Sequence, residues 1–224
     1  HKFNMHQNIS KSKYLSGLQC HKRLWYEVNA KDEVPEPDAA TQAVFDTGHA
    51  VGELAKKLYP GGIDLKWDHR HPGGIAEGLK KTQELIKLRK PVFEAGFSHG
   101  GGLAIADILI PAPGGQWDVI EVKSSTSVKE HYYDDAALQL YVYRQSGLKV
   151  RNFYLMHINN QYVKQGTIDP KKFFTRVNID AEAGEALKNV AKNLKAMGAM
   201  LTLKKAPGIA IGPHCSSPYA CPLM

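Results

Sequence analysis

Three residues interrupt an otherwise apolar stretch in a way that could do chemistry: Asp107, Glu121 and Lys123, within GGLAIADILIPAPGGQWDVIEVK at residues 101–123. A carboxylate among apolar, β-branched neighbours is costly unless something positive pairs with it. Two such acids with a lysine two residues after the second are what a divalent-metal hydrolase needs. The acids supply oxygens for Mg²⁺ or Mn²⁺, and the lysine sets an ammonium beside the attacking water. Glu121 and Lys123 are at i and i+2 of a strand and so point to one face, which is the expected active face.

The elements that must position them follow from the flanking pattern. Residues 103–110 and Trp117–Lys123 are expected as two strands, the second carrying Val119, Ile120 and Val122. Between them PAPGGQ ends one strand with prolines and offers a Gly-Gly pair for positive φ. Residues 91–98 form a strand feeding this hairpin, and residues 130–145 a helix close behind it. A further strand is expected at 152–158, with Phe153, Leu155 and Met156 apolar, and a short edge strand at 162–166.

Upstream, residues 10–27 read as one short basic helix with Ser10 or Ser12 as its N-cap, Cys20 inside it, and Tyr14, Leu18 and Trp25 apolar. Asp38 opens a long helix over 38–59, with Ala43, Val51, Leu54 and Leu58 on its apolar side, stopped by Pro60-Gly61-Gly62. His49 and Glu53 share one face of it. Residues 67–71 read as a loop, and 74–90 as an amphipathic helix ended by Pro91. Asp180 caps a last helix to about Met200, and the Pro/Gly/Cys-rich tail cannot be helical throughout. No linker divides the chain, so one α/β domain is expected, a central mixed sheet flanked by helices.

Composition narrows the function classes. With 29 Lys and Arg against 22 Asp and Glu, the net charge is +7, which favours a polyanionic partner. No apolar run is long enough to span a bilayer, and residues 1–6 read as polar and loose. Three cysteines, Cys20, Cys215 and Cys221, are an odd number and do not make a secreted disulfide framework. A cytoplasmic protein is the expectation, in which cysteines at special spacings suggest metal before disulfide.

The order of these residues resembles the PD-(D/E)XK nuclease superfamily, in its RecB-like branch. The matching positions are Gly48-His49, Ala106-Asp107, Glu121-Val122-Lys123 and Gln139-x-x-x-Tyr143, spread over nearly the whole chain. Ala106 stands where the superfamily's motif has proline. The resemblance implies a restriction-endonuclease-like core and a metal-dependent nuclease acting on single-stranded or end-containing DNA, in repair or defence. It implies that Asp107, Glu121, the Val122 carbonyl and His49 hold Mg²⁺ or Mn²⁺, and that Lys123 orients the attacking water. Gln139 and Tyr143, one helical turn apart, would contact the scissile strand or brace Lys123. Glu94, in the preceding strand, is a second-rank acid. The alternative is a module that keeps the fold but only binds nucleic acid or recruits a partner.

The cysteines resemble those of RecB-like nucleases, AddB-type and CRISPR-associated exonucleases among them, in which one N-terminal and three C-terminal cysteines bind a [4Fe–4S] cluster. The GPHC-x-x-PY-x-C tail is also similar to a bacterial family in which such a nuclease module precedes a second domain. That pattern expects a fourth cysteine shortly after Cys221, beyond Met224, in a longer protein. With Cys20, Cys215 and Cys221 alone, His214 or His21 could complete a cluster or a Cys₃His zinc site, and reduced thiols remain the plain reading.

Overall fold

The computed structural model describes residues 8–67 and 73–224. The loose start expected at residues 1–6, and all but the first residue of the loop at 67–71, lie outside the described residues.

Six strands form one mixed sheet in sequential order: β1 (Ile63–Asp64), β2 (Val92–His99), β3 (Gly102–Pro111), β4 (Trp117–Lys123), β5 (Val150–Ile158) and β6 (Phe174–Asn178). The β2–β3–β4 meander is antiparallel, β1 and β5 join it in parallel, and β6 closes the far edge antiparallel. The hairpin turn carries Gly114 and Gly115 at φ 66° and 71°, where a Cβ would be strained.

The helices are α1 (Lys11–Gln19), α2 (His21–Asn29), α3 (Ala39–Lys56), α4 (Gly74–Leu85), α5 (His131–Gln145), α6 (Pro170–Phe173), α7 (Asp180–Leu187) and α8 (Val190–Leu201). Asp38 caps α3 as its sequence predicts, its carboxylate accepting the Thr41 N–H at 2.8 Å. α5 is the crossover between the parallel strands β4 and β5 and is the most deeply buried helix. It packs on the sheet with α1, α7 and α8 around it. On the opposite face Ala55, with Leu58 and Tyr59 just beyond α3, meets Phe93, Ile108, Ile120 and Met156 in a smaller cluster.

Four expectations are corrected. Residues 10–27 are two helices, because Cys20 is extended (φ −163°, ψ 119°) and redirects the chain between α5 and α8. The edge strand lies at Phe174–Asn178, not 162–166; there Arg176 stacks its guanidinium 4.5 Å from the Tyr154 ring on β5. The final helix is broken into α7 and α8 around Asn189, and Asp180 spends its carboxylate on the Phe153 N–H at 2.6 Å instead of on a cap. Of the apolar side assigned to α3, Val51 is buried, Leu54 and Leu58 are half-buried and Ala43 is exposed, while the buried Ala55 was not part of it.

Candidate active site

The site forms where β3 and β4 separate. Their pairing runs from Pro111↔Trp117 to Ile108↔Ile120 and stops there. The next rung would set Asp107 against Glu121. Instead the Asp107 carboxylate turns to β4 and accepts the Val122 N–H at 2.7 Å. On its other side β3 has the matching irregularity. Pairing with β2 passes from Phe93↔Ile108 to Ala95↔Ala106, leaving Glu94 and Asp107 unpaired, with Glu94 at φ 60°. The side-chain alternation reverses there: Val92 and Ala95, like Ala106 and Leu109, both face the main core. A non-glycine residue at positive φ beside a broken ladder stores strain of a kind concentrated at functional sites.

The edge of β3 that β4 leaves is taken by the start of the chain. Ile9 bridges Gly102 in parallel, donating its N–H to the Gly101 carbonyl at 2.8 Å and accepting the Leu103 N–H at 2.9 Å. The next turn, the start of α1, delivers Lys11. Its Nζ lies 3.0 Å from both carboxylate oxygens of Glu121 and 3.7 Å from Asp107 Oδ1. α1 is seated tightly: a Cβ on Gly17 would stand 2.7 Å from Met197 of α8, and the buried Tyr14 hydroxyl accepts from Asn193.

α5 covers the same face. Lys123 Nζ donates to Glu121 Oε1 at 2.9 Å and to Asp135 Oδ2 at 2.5 Å, and sits 5.1 Å from the centre of the Tyr132 ring. Gln139 Nε2 donates to Glu121 Oε2 at 3.0 Å and to Asp135 Oδ1 at 3.1 Å, and its Oε1 accepts the Tyr143 hydroxyl at 2.8 Å. Asp135, Gln139 and Tyr143 are spaced i, i+4 and i+8, so one stripe of α5 carries this polar line.

The charges divide the two acids. Burial opposes ionisation of Glu121, but Lys11 and Lys123 outweigh it and hold its carboxyl at about 2. Asp107 is pushed up to about 7 by burial and by the Glu121 charge beside it. Both lysines are raised: burial works against their charge, and Glu121 with Asp107 for Lys11, or Asp135 with Glu121 for Lys123, overcomes it. Burial pushes the Tyr143 hydroxyl far up, so it stays a neutral donor. Glu94 is raised by burial, although Lys56 pairs with it at 3.5 Å.

Asp107, Glu121, Val122, Lys123, Gln139 and Tyr143 are therefore brought together. Gln139 and Tyr143 are fully buried, so they brace Glu121, and it is Asp135 that braces Lys123. His49 is not brought to this group: it is exposed on α3, and among the described residues no set of three or more His, Cys, Asp or Glu side chains is arranged to hold a metal. Two residues escaped sequence reasoning. Asp135 had a signal, the i, i−4 spacing to Gln139 on a buried face. Lys11 had none, being 110 residues from Glu121.

The chain ends meet near this site. The Gln19 side-chain amide donates to the carbonyls of His214 and Tyr219, each at 2.7 Å, and the Tyr219 hydroxyl is 2.7 Å from Nε2 of His131 on α5. Cys20 lines a cavity of about 340 Å³ with His21, Asn193, Met197, Ile209 and His214. Cys215 is buried beside His214, and the Cys221 N–H donates to the Cys215 carbonyl at 2.7 Å. All three thiols are free of disulfides.

The donor set suits the divalent ion that the resemblance implies. Mg²⁺ commonly takes one or two carboxylates and completes its shell with water and substrate phosphate. Asp107 and Glu121 already converge on one cation, the Lys11 ammonium. The three cysteines do not form a convergent ligand set among the described residues.

No protein-family profile matches this chain, and no curated protein matches it. One solved structure with a similar backbone is the crystal structure of SSO0001, at 15% identity over 90% of this chain and 79% of that one, with a TM-score of 0.40. A likeness of that size carries no argument about function.

Proposed function

We propose that this chain is a metal-dependent phosphodiesterase of the PD-(D/E)XK, RecB-like class, acting on DNA that is single-stranded or has free ends. The observation that carries the reading is the convergence of Asp107 and Glu121 on a single cation, with Lys123 held on the same face. The sequence resemblance supports it independently, through motifs whose order matches that class.

Asp107, Glu121 and the Val122 carbonyl would hold the metal. When bound, Mg²⁺ or Mn²⁺ would polarise a phosphodiester oxygen and lower the pKa of an attacking water. Asp135 and Glu121 keep Lys123 charged, so its ammonium stabilises negative charge and orients water instead of acting as a free base. Gln139 and Tyr143 hold Glu121 in one orientation, work done out of contact with substrate. The +7 net charge suits a polyanion.

For Cys20, Cys215 and Cys221 the resemblance proposes a [4Fe–4S] cluster, which would require the three thiols to draw together and a fourth ligand to join them. Its support is the resemblance and the meeting of the chain ends beside Cys20. Iron and acid-labile sulfide in anaerobically purified protein test that part.

A second reading has one observation in its favour. Lys11 already neutralises the carboxylates, as it would in a module that binds nucleic acid without cutting it. Digestion of linear and circular DNA, single- and double-stranded, separates the two. Cleavage with Mg²⁺ or Mn²⁺ that EDTA and Asp107→Asn both abolish supports the nuclease. Binding without cleavage under every metal condition supports the silent module.

A further inference from the structure

The most unusual relationship in the molecule is the seating of Lys11. Two carboxylates side by side in a partly buried pocket are costly to keep ionised together without a cation between them, because each raises the cost of ionising the other. Lys11 supplies that cation from the first turn of α1, with 23% of its side chain open to solvent. Its ion pairs among the described residues are to Glu121 and Asp107. Lys123, by contrast, has a second partner in Asp135 and the Tyr132 ring at its back.

Resting on the nuclease reading, we propose that Lys11 is the resident counter-ion of the metal site, holding Asp107 and Glu121 until a divalent cation displaces it. The two cations compete for one position. When the ammonium leaves, Lys123 and Gln139 still hold one oxygen of Glu121 each, so the carboxylate keeps its orientation while a lone pair on each oxygen is freed. The Val122 N–H still fixes Asp107. Only the flexible stem of Lys11 has to swing, since Ile9, Tyr14 and Gly17 anchor the backbone on both sides. The released ammonium is then a free cation at the mouth of the site, chemically suited to a phosphate oxygen of the substrate class proposed above. Metal loading thereby exposes a substrate-binding charge.

Mn²⁺ affinity measured by electron paramagnetic resonance of the free ion tests this without nucleic acid and without an activity readout. Lys11→Met should bind Mn²⁺ about ten- to a hundredfold more tightly than the wild type, the size of effect that one charge at ion-pair range has on a neighbouring ionic equilibrium. Lys11→Arg should bind it more weakly, because a guanidinium grips a carboxylate bidentately and stays charged. Unchanged or weaker binding by a folded Lys11→Met protein overturns the role of Lys11. If circular dichroism shows that variant unfolded, Lys11→Arg decides: equal or tighter binding overturns the role. Asp107→Asn separates this inference from the one beneath it. Mn²⁺ binding that depends on Asp107 but not on Lys11 removes only the counter-ion, whereas no Asp107-dependent binding in any variant removes the metal site and both readings with it.

Discussion

The Tyr143 hydroxyl donates to Gln139 Oε1 at 2.8 Å and fills the one acceptor of the amide that faces away from Glu121. The Glu121 and Asp135 carboxylates, acceptors only, require Nε2 on their side, and the Tyr143 O–H satisfies the oxygen left on the other. Tyr143→Phe leaves the ring packing against Phe97 in place but orphans a buried amide oxygen. The expected cost is about 1–3 kcal/mol. Chemical denaturation in EDTA measures it, and a variant as stable as the wild type would show that the amide is held by Glu121 and Asp135 alone.

Asp107→Asn is expected to stabilise the metal-free protein at neutral pH. Asparagine keeps an oxygen for the Val122 N–H and removes the charge. The sign follows from a carboxyl raised from 3.8 to about 7. Such an acid resists ionisation in the folded state, so its ionisation costs stability progressively as the pH climbs through that window, and the full cost is present above it. Thermal unfolding in EDTA should favour the variant by on the order of 1–3 kcal/mol above pH 7, fading to nothing below about pH 4. A variant less stable than the wild type at pH 8 contradicts the reading.

Glu121→Gln should do the opposite. Its carboxyl is lowered from 4.5 to about 2, so the stability it contributes is full above its ordinary value and is lost as the pH falls through the lowered one. The variant should be less stable than the wild type by roughly a few kcal/mol near neutrality, with the gap closing as the pH drops from about 4.5 towards 2. A gap that persists unchanged at pH 2 would mean that packing, not charge, makes the difference.

Binding of Asp107→Asn to single-stranded DNA should weaken steeply with salt, log affinity falling by roughly 0.7 per phosphate neutralised for each log unit of salt. Lys13 and Lys22 are the first residues to replace. Arg23, basic by sequence, is already engaged by Glu27 and Gln19 at 2.8 Å each and should contribute less. Fluorescence anisotropy across a salt series reads the slope, and a flat series removes the electrostatic contact.

The sequence was informative where structure is local. The hairpin with Asp107, Glu121 and Lys123 and the helix with Gln139 and Tyr143 follow from alternation and spacing, and the structure has β3, β4 and α5 at those residues. What sequence reading missed was tertiary. Cys20 breaks a helix because two helices must pack on different partners, and nothing in residues 10–27 says so. Lys11 reaches Glu121 only because Ile9 adds itself to the vacant edge of β3. β6 was hidden because its pairing and register are set by β5, a strand that precedes it by sixteen residues.

The matched irregularities at Glu94 and Asp107 have a consequence for how this sheet can change. Each strand slips half a period, and because the slips face each other they cancel, so the ladder is back in phase at Ala95↔Ala106 and runs on to His99↔Gly102. The pair behaves like two dislocations of opposite sign bound together. Removing Glu94 alone, or Asp107 alone, would unbind them, restoring regular alternation in that strand and leaving the other slip as a single unmatched bulge. Asp107 is thus inherited together with a fault in a strand that does not contain it.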